Sequence, residues 1–339
     1  MNGGVSVAGP LSWRRIRTEC EVKDMAVISG WWARLSTFLV TACLVVVAGC
    51  QPKGQEVHDA RLDSVRKTVY VDNYPLKYFA DRIAGGELDV VFPCPADEDP
   101  AFWRPDAEAI QGYQQADLVL LNGATYAKWL DFVSLPESRL VDTSAGFVAD
   151  WIPLEDAVVH QHGPGGEHAH QDVAFTTWLD PRLALQQAAA VHAALARLLP
   201  DRKPAFDANL AEVQSDLQQL DQALTDALDG YVQQPLLASH PVYQYLARRC
   251  AWNLQSLHWE PEEMPDDPQW QELVSVLDKH PAKWMIWEAP PLDQVAQRLQ
   301  GLGVGCLVFE PCGNVPEQGD YLDIMRRNIS NLKTIVGDS

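Results

Sequence analysis

The chain has 339 residues, 46 acidic against 26 basic, for a formal net charge of −20. That balance, with no basic patch along the sequence, excludes nucleic acid as the partner. Once the N-terminal segment is set aside, roughly 270 residues remain, a length that suits two compact lobes better than one enlarged core.

The chain opens on a segment that is not part of the fold. Arg34 precedes an apolar run over 35–48 that ends in Val47, Ala48, Gly49 and Cys50. This predicts a bacterial lipoprotein signal peptide over 1–50, with Cys50 as the lipidated first residue of the mature protein. The run is short of the ~20 apolar residues a spanning helix needs. Whether cleaved or kept as an anchor, it places the domain outside the cytoplasmic membrane. Met25 is expected to be the true start, because the residues before it have no role in such a signal. Residues 51–66 are polar, contain Pro52 and Gly54, and read as a tether.

An N-terminal α/β lobe is expected over 67–200. Its elements are a strand at 68–72, a helix at 75–83 stopped by Gly85 and Gly86, and a strand at 88–92. A rigid acidic loop follows at 93–100, holding Asp97, Glu98 and Asp99. A helix at 106–115 leads to a strand at 117–122 that is almost wholly apolar, as in a parallel sheet covered on both faces. Residues 126–132 read as helical and 139–142 as a short strand. Strand and helix thus alternate at the spacing of βα units. The segment 154–177 breaks the rhythm: Gly163, Pro164, Gly165 and Gly166 sit among His160, His162, His168 and His170, which predicts a surface loop. Asp180 and Pro181 read as the N-cap and first turn of a helix reaching 198.

A connecting helix is expected within 201–230. Leu210, Val213, Leu217, Leu220, Leu224 and Leu228 recur at steps of three and four and form one apolar stripe. The C-terminal lobe, 231–339, repeats the grammar of the first. Strands at 235–239, 254–257, 284–287 and 305–309 alternate with helices at 242–250, 267–279, 292–300 and 321–336. The fold class is therefore α/β: two small parallel-sheet lobes joined by a long rigid helix. Ligands of open parallel sheets collect beyond the carboxyl ends of the strands. Asn122, His240, Glu288 and Glu310 lie at such ends. His58, His192, His258 and His280 lack ligand spacing and read as structural or surface residues.

Four cysteines follow Cys50: Cys94, Cys250, Cys306 and Cys312. An extracytoplasmic location permits disulfides, and Cys306 and Cys312 flank a strand end and turn, so that pair is possible. None of the four forms a zinc-type cluster. The sequence has no Gly-x-Ser-x-Gly elbow and no His-Glu-x-x-His segment, and it is not read as an enzyme.

The order of the motifs carries a resemblance. Residues 117–124 with Trp129 and Leu130, then Trp178, Leu179, Asp180 and Pro181, then Ser239 and His240 with residues 245–249, and finally residues 319–328 resemble the substrate-binding lipoproteins of zinc and manganese ABC importers. The resemblance implies a lipid-anchored, monomeric receptor. It would capture a divalent metal ion (zinc, manganese or iron) as cargo and deliver it to an ABC permease. That family builds its metal site from three histidines and a carboxylate. Carried over by motif, two of the ligands are His240 and Glu310, while Ala101 and Thr176 stand where the other two histidines are expected. One imidazole and one carboxylate leave zinc two donors short of four. Three resolutions are open. Asp97, Glu98, Asp99 and Glu288 complete an oxygen-rich site suited to manganese or iron. Alternatively, the loop lends His160, His162, His168 or His170, as ligand or as collector. In the third, the cleft no longer binds free metal, and the protein serves a non-metal ligand or an accessory interaction role.

Overall fold

The computed structural model describes residues 66–154, 173–227 and 233–337. Cys50, nearly all of the expected tether and His160, His162, His168 and His170 lie outside these residues. Among the described residues no helix is long and apolar enough to cross a membrane.

The first lobe is built from β1 (Thr68–Val71), α1 (Tyr74–Ala84), β2 (Asp89–Val91), α2 (Ala107–Gln115), β3 (Leu118–Leu121) and β4 (Leu140–Asp142). Its sheet is parallel throughout, in the order β2-β1-β3-β4. All four residues of β3 are buried, as expected of a strand covered on both faces. The Asn73 side chain caps α1 by accepting the Leu76 N–H, and Gly85 ends it at φ 57°, a conformation glycine adopts without a Cβ penalty.

Residues 126–132 do not form the expected helix. Gly123, Ala124 and Thr125 take left-handed φ values of 76°, 47° and 56°, so the chain reverses just where a right-handed helix would start. A single 3-10 turn, Lys128–Asp131, is what remains.

Two helices follow, α3 (Pro181–Leu198) and α4 (Lys203–Ala227), and α4 packs against both α1 of the first lobe and the last helix of the second. Asp180 accepts the Arg182 N–H and Pro181 occupies the first turn, as its sequence predicts. The stripe of α4 is buried at Phe206, Val213, Leu217, Leu220 and Leu224; Leu228 falls outside the described residues. The second lobe follows as β5 (Pro235–Ala238), α5 (Gln244–Cys250), β6 (Asn253–Ser256), α6 (Asp267–Lys279), β7 (Trp284–Trp287), α7 (Asp293–Gly301), β8 (Gly305–Val308) and α8 (Tyr321–Gly337). Its parallel sheet has the order β6-β5-β7-β8, the same winding as the first.

The largest apolar core is shared. It takes Val69, Phe79 and Leu120 from the first lobe, Leu217 from α4, and Leu236, Phe309 and Tyr321 from the second. The described residues accordingly form one compact unit. Cys94, Cys250, Cys306 and Cys312 are all free thiols, so the Cys306–Cys312 pair that the spacing allowed is not formed.

Candidate metal site

The site is assembled from the carboxyl ends of the second-lobe strands. Beyond β5 the backbone stays tied to its neighbours: Ser239 N–H donates to Ile286 O at 2.8 Å, and Trp259 N–H donates to Ser239 O at 2.8 Å. These bonds set His240 beside Glu288, the first residue after β7. His240 Nδ1 lies 3.2 Å from Glu288 Oε1. Glu260, four residues beyond β6, places Oε1 3.7 Å from the same nitrogen. The His258 ring stands edge-on to the His240 ring, with centroids 6.0 Å apart.

Asp99, from the first lobe, acts on this group through its charge. Its Oδ1 accepts the Ala101 N–H at 2.9 Å, and its main-chain carbonyl accepts from Phe102 and Trp103, so the loop turns tightly there. Asp99 is exposed as a residue. Even so, the protein packed around its carboxyl raises its pKa; the Ala101 N–H and His240 oppose the rise, and Glu288 adds to it. Glu260 is raised by desolvation first and by the repulsion of Glu288, Glu262 and Glu263. The His240 pKa is raised chiefly by its hydrogen bond to Glu288, against a desolvation effect in the other direction, with Glu260 and Asp99 also favouring the cation. Carboxylates crowded about one imidazole gain most from a positive charge among them.

The remaining expected residues are placed as follows. Ala101 is 1% exposed and part of the apolar core. Thr176 is buried, and its hydroxyl donates to Val242 O at 2.5 Å. Asp97 and Glu98 are exposed; with Asp99 they surround the Cys94 thiol, whose pKa burial pushes up to about 12. Glu310 has its main chain bracketed by the Asn328 amide, with Glu310 N–H donating to Oδ1 and Nδ2 donating to Glu310 O. Its carboxyl is raised by desolvation, and its charged neighbours are Arg327 and Glu317. The charged neighbours of His240 are Glu288, Glu260 and Asp99; the two sets share no member. As the side chains stand, no three His, Cys, Asp or Glu among the described residues group closely enough to hold a metal ion.

Sequence reasoning paired His240 with the carboxylates at strand ends but passed over His258 and Glu260. A signal was available: the two flank Trp259 directly after a predicted strand, and an extended chain turns alternate residues to the same side.

Two parallel-sheet lobes with charged side chains at the carboxyl ends of their strands are the plan of a two-lobed α/β binding protein, and the fold of this chain is of that class. The model of the ZnuA family, zinc-uptake complex component A periplasmic, matches residues 69–335, and the chain belongs to that family. It is 24% identical over 311 residues to the zinc-binding lipoprotein AdcA of Streptococcus pneumoniae, covering 88% of this chain and 60% of AdcA. The chain therefore spans less than two thirds of that relative. The high-affinity zinc uptake system protein ZnuA of Yersinia pestis is 24% identical over 273 residues, covering 74% of this chain and 85% of the relative. Among solved structures, the metal-dependent lipoprotein YcdH of Bacillus subtilis superposes with a TM-score of 0.67 at 21% identity, over 79% of this chain and 98% of that one. Zn(II)-bound AdcA of Streptococcus pneumoniae superposes with 0.66 at 22% identity, over 79% and 57%.

Proposed function

We propose that this protein captures a divalent metal ion outside the cytoplasmic membrane and delivers it to an ABC permease, held at the membrane as a monomer by a lipid on Cys50. Zinc is the first cargo to test, because the family description and the relatives' names specify it. The observation that carries the reading is the gathering of Glu288 and Glu260 beside His240 at the second-lobe strand ends, with the charge of Asp99 from the first lobe acting on His240 and Glu288. Asp99 offers a single carboxylate on the side where Ala101 and Thr176 supply no donor. No bond of the cargo is made or broken. The protein supplies donors and then loses the ion on meeting the permease, which requires a lower affinity in the docked state than in the free one.

The test is a metal count. The untagged protein is equilibrated with Zn²⁺, Mn²⁺ or Fe²⁺, desalted and analysed for bound metal, beside His240→Ala. One ion per wild-type chain and none in the variant is the expected result. A wild type that holds no stoichiometric ion of any of the three would sink the reading and return the cleft to a non-metal ligand or accessory role.

A further inference from the structure

His258 and Glu260 belong to a stretch with a clear division of labour. Leu257 and Trp259 are each 1% exposed, and Trp259 stacks into the second-lobe core against Trp270 and Trp287. Their main-chain N–H groups donate to Ala238 O and Ser239 O, which extends the β5–β6 pairing past the end of the sheet. With 257 and 259 turned inward, 258 and 260 alternate outward, and both are exposed. The register puts that outward face next to His240.

The donors stand near the spacing of a coordination shell without yet being gathered into one. Zinc bonds of about 2.0–2.2 Å in a tetrahedron separate neighbouring donors by about 3.2–3.6 Å. His240 Nδ1 stands 3.2 Å from Glu288 Oε1 and 3.7 Å from Glu260 Oε1. Convergence of these donors on one point needs a turn of the Glu260 and His258 side chains. The Glu260 side chain is 50% exposed, so rotation meets little packing. A cation entering among Asp99, Glu260 and Glu288 removes their mutual repulsion and supplies the drive.

Resting on the metal-capture reading, we propose that His258 and Glu260 are ligands of the ion. The second lobe alone then supplies two imidazoles and two carboxylates, from His240, His258, Glu260 and Glu288, with Asp99 the first-lobe donor. The imidazoles absent at Ala101 and Thr176 are compensated across the cleft rather than replaced in place. Two nitrogens and two oxygens satisfy Zn²⁺ at four donors, and Asp99 makes room for a fifth oxygen that Mn²⁺ accepts more readily.

The experiment uses Zn²⁺ as the probe on the untagged full chain. Zinc affinity by chelator competition is measured for wild type, His258→Ala, Glu260→Gln and Glu310→Gln. X-ray absorption on the zinc-loaded forms counts imidazoles, and melting of each metal-free form monitors folding. Expected are a loss of affinity of ~10-fold or more for His258→Ala and Glu260→Gln, a fall from two imidazoles to one in His258→Ala, and unchanged metal-free melting. Wild-type affinity and two imidazoles in His258→Ala, with wild-type affinity in Glu260→Gln, overturn the proposal while leaving metal capture standing. Failure of the wild type to bind zinc brings down metal capture and this proposal together.

Discussion

Ala101 and Thr176 have packing roles of their own. The methyl of Ala101 sits in the shared core, and the Thr176 hydroxyl joins its segment to the second lobe through Val242 O, so a histidine at either position would cost packing or an interlobe bond. Another first-lobe residue ties stability to pH. Asp72 follows β1, is 3% exposed, and accepts the Asn122 N–H with both oxygens at 3.0 Å. It borders a cavity of about 480 Å³ walled by Gly123, Ala124, Thr125 and Asp142. Burial raises its pKa to about 8, with Asp142 adding repulsion and main-chain N–H donors opposing it. In the unfolded chain an aspartate titrates near ~4, so between about 4 and 8 the folded state holds a proton that the unfolded state has released. Stability from this group is complete below that window, declines as pH rises through it, and is lost above about 8. Asp72→Asn stays neutral and keeps an oxygen for the Asn122 N–H. Urea unfolding at pH 5 and pH 8 should show a smaller decline in the variant than in the wild type; equal declines would mean that Asp72 does not ionise within that range.

At the scale of elements, the segment that follows β8 and carries Glu310 also joins the lobes. The segment after β8 lies against the first lobe at three points: Trp178 Nε1 donates to Pro311 O at 2.8 Å, Tyr74 N–H donates to Gly313 O at 3.0 Å, and Asn314 Nδ2 donates to Pro95 O and Glu98 O at 2.6 and 2.8 Å. The Asn314 amide thus holds the loop whose next residue is Asp99. Asn314→Ala should cost about 1–2 kcal/mol for two partly solvated bonds, seen as a lower melting temperature. It should also weaken zinc binding through a loosened Asp99; an unchanged zinc affinity would show that the loop keeps its position without the amide. The elements themselves were legible to different degrees. Apolar runs at 117–122, 235–239, 284–287 and 305–309 each mark a strand to within a residue or two; in the first three, burial of nearly every residue leaves little choice of residue type. The 126–132 helix misread has a local cause, since nothing in Ala124 or Thr125 announces a positive φ. In the site, His240 and Glu288 were legible as the ends of strong strands. His258 and Glu260 were not, because their position depends on Trp259 pairing with Ser239, a contact between strands that are separated in sequence by a helix.

For the molecule as a whole, one core and one helix join the lobes. Asp216 of α4 pairs with Arg82 of α1 at 3.0 Å and lies 3.8 Å from Arg326 of α8, while Asp221 pairs with Arg249 of α5 at 2.6 Å. The Asp216–Arg326 pair, exposed on its arginine side, adds little; the buried stripe of α4 carries more of the stability, and a large apolar interface restrains relative motion of the lobes. Release of cargo is then expected to proceed by local rearrangement at the strand ends and the 94–99 loop, not by wide opening. This bears on the histidine-rich segment. Its ends are closed by the bridge between Pro153 and Val173 and by Ala174 N–H donating to Ile152 O at 2.9 Å, so residues 155–172 can be excised and bridged by a short glycine linker without opening the fold. If His160, His162, His168 and His170 collect zinc for a site that the strand ends complete, the deletion should leave metal-free melting unchanged. It should keep one tightly held Zn²⁺ per chain, remove any weaker additional ions, and slow loading from dilute zinc. Isothermal titration of the deletion beside wild type separates the two roles: loss of the tight ion with the segment would make those histidines ligands of the site itself, and the strand ends alone would then be too poor in donors to hold the cargo.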